Sequence, residues 1–197
     1  QTWIARLPME DFCQATGLAP QQKFEAQGGP TMEDCLNILA RSDSPELDTL
    51  QFTLTQLAFW LLAITQGHAK SFALYGLRGG GFRLAPLGEL HSVWPLVGDG
   101  PTQLPLHEMD LAMALHHQNV YFKLREIRLR HWQALAKRSQ HPQAWQQMLA
   151  LASNASEAIE SVHARLPADF PGPTWEAVSA GVKRHARQFL REVELSA

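Results

Sequence analysis

Between Thr65 and Ser71 the chain reads TQGHAKS, a knot of polar side chains set between an apolar helical pattern and a strand-like run. Gln66 and Ser71 stand five apart, with His68 and Lys70 between them. A protein-kinase catalytic loop has this layout, D-x-x-x-x-N. There, one loop must bring a carboxylate to the substrate hydroxyl and an amide oxygen to a phosphate-bound Mg²⁺. A second carboxylate just beyond a short hairpin completes the metal clamp. Here a hairpin pattern follows the knot, and Glu89 lies in the loop past it. Lys70 has the charge to neutralise a transferring phosphate. Spacing alone is not specific, because a polar pair five apart is common.

These residues need elements to hold them. The strongest pattern runs from about Pro45 to Gln66: Leu47, Leu50, Leu54, Leu57, Trp60 and Leu61 recur at three and four. Its second half is apolar on nearly every side, which predicts a helix buried among several neighbours. Gly67 is the expected terminator. The period then changes, and FALYGLR (72–78) and FRLAP (82–86) flank three glycines, a hairpin signal. Upstream, Pro8, Glu10, Asp11 and Gly17 predict a short helix over 8–17. Thr31 is placed to cap another, with Glu33 and Asp34 in its first turn. Residues 87–122, rich in Pro and Gly, read as an irregular loop. Helices are expected near 124–139, 142–165 and 173–194, divided by His141-Pro142 and by LPADFPGP. The fold class predicted is mainly α (α+β), with a small β-hairpin after the central helix.

Composition narrows the partners. The chain has 197 residues, 45% of them hydrophobic and 18% charged, which suits one globular core and not a disordered segment. A net charge of -2 gives no general reason to expect direct nucleic-acid binding. The most apolar stretch is too short to span a bilayer, and no signal peptide opens the chain. Cys13 and Cys35 lack metal-ligand spacing and read as two reduced, half-buried thiols in a cytoplasmic protein. The chain begins at Gln1 with no initiator Met, which reads as a piece of something longer.

Other candidates carry plain alternatives. His68 either transfers protons or bonds a neighbouring carbonyl and holds the loop's shape. Lys70 is a phosphate contact or an ordinary surface lysine, and Glu89 a metal ligand or a solvated acid. His116 and His117 resemble a metal pair, but adjacent residues on a strand or helix point apart. Arg125, Arg128 and Arg130 alternate with apolar residues and read as a wet face or a partner-binding patch. Trp60, Trp94, Trp132, Trp145 and Trp175 read as core or groove-lining aromatics.

Several stretches together resemble the C-terminal lobe of the HipA family, the Ser/Thr kinase toxins of bacterial toxin–antitoxin modules. They are RLPMEDFCQ (6–14), KFEAQGGP (23–30), AITQGHAKSF (63–72), GGFRLAPL (80–87), DLAMAL (110–115), RHW (130–132) and LPADFP (166–171). They keep the family's order and spread over most of residues 1–197, so the whole chain is expected to be one kinase-like helical lobe. In that family the knot reads T-D-G-H-A-K-N and the later stretch L-T-P-x-Y-D. Thr65, Gly67, His68, Ala69, Lys70, Leu84 and Pro86 match. The catalytic Asp falls on Gln66, the metal-binding Asn on Ser71 and the second metal-binding Asp on Glu89, and all three depart from the pattern. The resemblance implies Mg²⁺ and ATP as cofactors, phosphoryl transfer to a protein Ser or Thr, and an N-terminal lobe to complete the nucleotide site. It also implies a DNA-binding antitoxin of the HipB type as partner and an aminoacyl-tRNA synthetase as substrate. Gln66 is neutral and cannot take a proton, and losing a general base costs on the order of 10²–10⁴ in rate. Ser71 offers a shorter arm than Asn, and Glu89 holds its charge one methylene further out, which Mg²⁺ tolerates poorly. An inactive or impaired kinase lobe is therefore expected, or a pseudokinase that binds an antitoxin or a separate N-terminal lobe.

Overall fold

The computed structural model describes residues 6–88 and 90–196. Its N-terminal part starts with a short strand, β1 (Met9–Asp11), and one turn of helix, α1 (Phe12–Ala15). The predicted helix over 8–17 is thus only partly helical. Met9–Asp11 find backbone partners in a later strand, and Asp11 instead caps α1, its side chain accepting from the Gln14 amide. Thr31 begins α2 (Met32–Leu39) as predicted: its hydroxyl accepts from the Asp34 amide, and Asp34 accepts in return from the Thr31 amide.

The central rod is α3 (Pro45–Leu62), with Pro45 in its first turn and Phe52, Leu57, Phe59, Trp60 and Leu61 all buried. It stops short of Gln66. Ala63 takes a left-handed backbone, φ 49° and ψ 53°, and ends the helix where the sequence pointed to Gly67. That conformation costs a non-glycine residue about 1 kcal/mol, which packing and bonding around Ala63 must offset.

The hairpin forms as predicted from β2 (Ala73–Gly76) and β3 (Phe82–Leu84), with Gly79 and Gly80 turning at φ 89° and 87°. β1 adds antiparallel to the other side of β2, pairing Glu10 with Leu74. A second hairpin corrects the sequence reading. Residues 87–122 are not irregular throughout: β4 (Asp110–His116) pairs antiparallel with β5 (Val120–Lys123). Leu111 to Leu115 are all buried, so the strand lacks the apolar–polar alternation that marks a half-exposed one. α2, α4 and the turn at Glu25–Gln27 lie against it.

Three helices close the domain: α4 (Leu129–Arg138), α5 (Ala144–His163) and α6 (Gly172–Ser196). All three agree with the predicted segments, except that Leu124–Glu126 form a 3-10 turn before α4. α5 and α6 pack on each other and on α3. Trp60, Trp132, Phe12, Phe52, Phe72 and Phe189 fill the core, and the Trp60 indole N–H donates to the Leu124 carbonyl at 3.0 Å. Cys13 and Cys35 are free thiols and fully buried, not half-buried. Among the described residues no helix is long and apolar enough to cross a membrane. The fold is mainly α, with small antiparallel sheets at its N-terminal side and middle.

Candidate functional site

The C-terminal end of α3 leaves carbonyls that no helical N–H can reach. The segment at 92–94 supplies three donors. Trp94 Nε1 donates to the Leu61 carbonyl at 2.9 Å, Ser92 Oγ to that of Leu62 at 2.6 Å, and the Val93 amide to that of Ala63 at 3.1 Å. A fourth donor comes from α6, where His185 Nδ1 bonds the Trp60 carbonyl at 2.8 Å. This end is therefore anchored, and the polar knot hangs directly from it.

Gly67 has no room for a side chain, since a Cβ there would fall 2.2 Å from Cδ2 of Phe59. The backbone then folds on itself: the His68 amide donates to the Gln66 carbonyl at 2.9 Å and the Ser71 amide to the His68 carbonyl at 2.8 Å. Ser71 Oγ reaches the same Gln66 carbonyl at 2.7 Å and lies 2.9 Å from His68 Nδ1. A carbonyl only accepts, so the Ser71 hydroxyl hydrogen goes to Gln66. His68 Nδ1 must then carry the ring proton, which leaves the lone pair on Nε2. Burial, with the Lys23 cation adding to it, holds the His68 imidazole below its ordinary value, so the ring is neutral at pH 7. Phe24 meets it edge to face, with ring centroids 5.1 Å apart.

Neighbouring segments fix the knot from two sides. Lys70 pairs with the carboxylate of Asp11, and that hydrogen bond raises the lysine's pKa. Asp11 is also the cap of α1, so one carboxylate ties the knot to the N-terminal strand and helix. The Ala69 amide donates to the Lys23 carbonyl at 3.2 Å. Two residues on, Glu25 is almost entirely buried. It accepts from the Ala114 amide at 2.7 Å and pairs with His116 Nε2, joining this segment to β4.

Gln66, His68, Lys70 and Ser71 thus lie in one turn, as the sequence predicts, and Glu89 lies outside the described residues. Gln66 is exposed and, with Thr65, lines an opening of about 440 Å³. Phe24, Gln27 and Phe122 form other parts of its wall, and so does Asp110, the first residue of β4. Sequence reasoning missed Asp110 because it belongs to the stretch read as loop. It also missed Asp11 and Glu25 as supports, because their partners are 59 and 89 or more residues away. Asp110 is paired with Lys123 at 3.0 Å.

Within the turn itself no side chain carries a negative charge. Ser71 Oγ is engaged twice and Lys70 is paired with Asp11. Among the described residues no group of three or more His, Cys, Asp or Glu is placed to hold a metal ion. His116 is committed to Glu25, while the His117 ring sits 6.1 Å from that of His131. Arg125, Arg128 and Arg130 are exposed; Trp60, Trp94 and Trp132 are buried.

Comparison with known proteins adds to this geometry. A model of the HipA-like C-terminal domain matches residues 1–170. A Sinorhizobium fredii (strain NBRC 101917 / NGR234) protein described as "Putative kinase Y4mE" is 36% identical over 91 residues, which are 45% of this chain and 21% of that protein. Among solved structures, the chain superposes with a TM-score of 0.82 on a chain from the Shewanella oneidensis MR-1 toxin–antitoxin complex of HipA, HipB and its operator DNA. The superposition covers 98% of this chain and 46% of that one, at 18% identity, so it is a likeness of fold. The chain spans less than half the length of either of these proteins.

Proposed function

Since this chain belongs to the family of HipA-like C-terminal domains, we propose that it is the metal-and-acceptor side of a kinase-like phosphoryl-transfer fold whose chemistry is impaired. The observation that carries this reading is the turn at 66–71. Its exposed position 66 is a neutral amide, and the Ser71 hydroxyl is turned inward to the Gln66 carbonyl and the His68 ring. In the family these two positions supply a general base and a metal-binding amide. A Gln side chain accepts no proton at neutral pH, and removing a base costs on the order of 10²–10⁴ in rate. The Ser71 hydroxyl, donating to Gln66 and accepting from His68, keeps a single lone pair on a short arm and is a poorer cation ligand than an amide oxygen. Mg²⁺ and ATP are accordingly read as weak ligands of this chain, and a protein Ser or Thr as the ancestral acceptor.

The turn is otherwise well kept. Gly67 passes under Phe59, and Lys70 and Ala69 are tied to Asp11 and Lys23. A scaffold in this condition suits a lobe that retains its shape for a partner. That is the second reading, a non-catalytic module binding a HipB-type antitoxin or a separate N-terminal lobe. The two readings separate on nucleotide binding.

The test is calorimetric titration of Mg²⁺-ATP into the chain and into its Gln66→Asp/Ser71→Asn variant, with γ-labelled ATP transfer followed in parallel. The expected result is no saturation for the chain below the millimolar range and binding tighter by roughly tenfold or more in the variant. Tight, Mg²⁺-dependent binding and phosphoryl transfer by the unaltered chain would overturn the impaired-kinase reading. No gain in the double variant would favour the partner-binding module.

A further inference from the structure

A long open groove of about 1180 Å³ runs along α6 and the 124–128 segment before α4. Its charge is one-sided. Arg125 and Arg128 line it from one wall, and Arg184, Arg187 and Arg191 from the other. The α6 arginines stand three and four apart, so they share one helix face. Against these five guanidinium groups the lining holds two acids, Glu192 and Glu194. Glu192 is already committed: it accepts from the Leu129 amide at 2.7 Å and lies 3.9 Å from Arg128 Nε.

The other arginine bonds direct the side chains without neutralising them. Arg128 donates to the carbonyls of Arg125 and Ile127 at 2.6 and 2.9 Å, and Arg187 to that of Lys183 at 3.0 Å. The Arg184 guanidinium lies 4.7 Å over the Trp94 ring. Among the described residues Arg125 and Arg191 have no acidic partner. The chain as a whole is at -2, so this positive excess is local and not a by-product of composition. Like charges held together this way repel one another, and an anionic partner relieves that cost.

The groove also carries apolar surface. Leu106 and Leu190 line it, and Leu195 is 79% exposed. Single-stranded nucleic acid is gripped by aromatic platforms on which bases stack. Among the described residues no Phe, Tyr or Trp lines this groove, and the Trp94 ring under Arg184 is buried. Arginine beside exposed leucine instead matches a polypeptide surface that alternates acids with aliphatic side chains. From Arg184 to Leu195 the helix advances roughly 16 Å, enough for about three turns of a partner helix laid alongside. We propose that this groove docks an acidic, leucine-bearing helical segment of a protein partner. The proposal does not rest on any activity at the polar knot.

The test is fluorescence polarisation with a labelled 15-residue helical peptide, with Glu at every third or fourth position and Leu on the adjoining stripe. A scrambled peptide, a 15-nucleotide single strand and a 15-base-pair duplex serve as comparison probes. The chain should bind the peptide saturably. Affinity should fall at least roughly tenfold with Arg184→Glu or Arg191→Glu and stay within about twofold with Arg191→Lys. Arg125→Glu, on a separate element, should give the same loss with an unchanged circular-dichroism melt. The proposal fails if the peptide does not saturate, if the scrambled peptide or either nucleic acid binds as tightly, or if charge reversal leaves binding unchanged. It also fails if light scattering shows the chain dimerising through this face, with Arg191→Glu restoring the monomer.

Discussion

At the scale of single residues, the knot depends on a side chain that is missing. Gly67 is needed because the Phe59 ring occupies the space a Cβ would fill, at 2.2 Å. Phe59 is itself buried against Phe72, ring centroids 5.6 Å apart, so neither partner can retreat into solvent. Gly67→Ala is expected to cost roughly 1–3 kcal/mol, the usual range for overpacking, read as a lower urea midpoint at unchanged m-value. The sequence placed this glycine in the knot but assigned it the wrong task, as helix terminator. The signal was misleading because Ala63, four positions earlier, takes the left-handed backbone that glycine normally supplies. The residue types at 66, 68, 70 and 71 and their closeness in the chain were legible, since a turn brings near neighbours together whatever surrounds it. What engages them was not. The Asp11 bond to Lys70 and the Lys23 carbonyl under Ala69 span long stretches of chain, and no local pattern encodes such pairs.

At the scale of elements, legibility followed periodicity. α5 and α6 show a helical repeat bounded by Pro and Gly and lie where it predicts, whereas α4 begins at Leu129, five residues past its expected start. β4 was hidden because it is buried on both faces and sits in a proline-rich region, so neither alternation nor flanking turns announced it. The 92–94 segment was unreadable for another reason, because its value lies wholly in what it bonds. Ser92, Val93 and Trp94 take up the last carbonyls of α3 and so hold the origin of the knot. Trp94→Phe removes one donor and leaves the Leu61 carbonyl unsatisfied in a buried place. The expected loss is about 1–3 kcal/mol, together with faster amide exchange at His68 and Ser71, whose N–H groups are bonded within the knot. If Trp94→Phe lowered global stability but left exchange at those two amides at the global rate, the anchoring role assigned to 92–94 would be wrong.

At the scale of the whole molecule, two buried imidazoles make stability depend on pH. His185 is stacked on Trp60 with ring centroids 4.1 Å apart and meets Trp94 edge-on at 4.7 Å, in the middle of the α3–α6 contact. Burial is the main cause that pushes its pKa down to about 4, and Arg184 adds to it. His131 is stacked on Tyr121 at 4.0 Å and accepts at Nδ1 from the Arg128 amide at 3.1 Å. Burial first, then Arg130, His117 and Arg128, bring it to about 4 as well. Both rings are neutral in the folded chain, whereas in the unfolded chain they take up protons near pH 6.5. Below that pH the unfolded state binds more protons than the folded one, so stability falls as pH falls from 6.5 toward 4. By pH 5 each ring has cost about 2 kcal/mol relative to pH 8. Few carboxylates titrate between pH 7 and 5, so that interval isolates the histidines. Urea midpoints should therefore drop steeply across it, and His185→Gln should remove its own share, about 2 kcal/mol by pH 5, while lowering the pH 7 midpoint through lost packing on Trp60. A midpoint that stays level from pH 7 to 5 in the unaltered chain would mean that these rings are solvated, and that the contact between α3 and α6 is looser than the stacking at His185 describes.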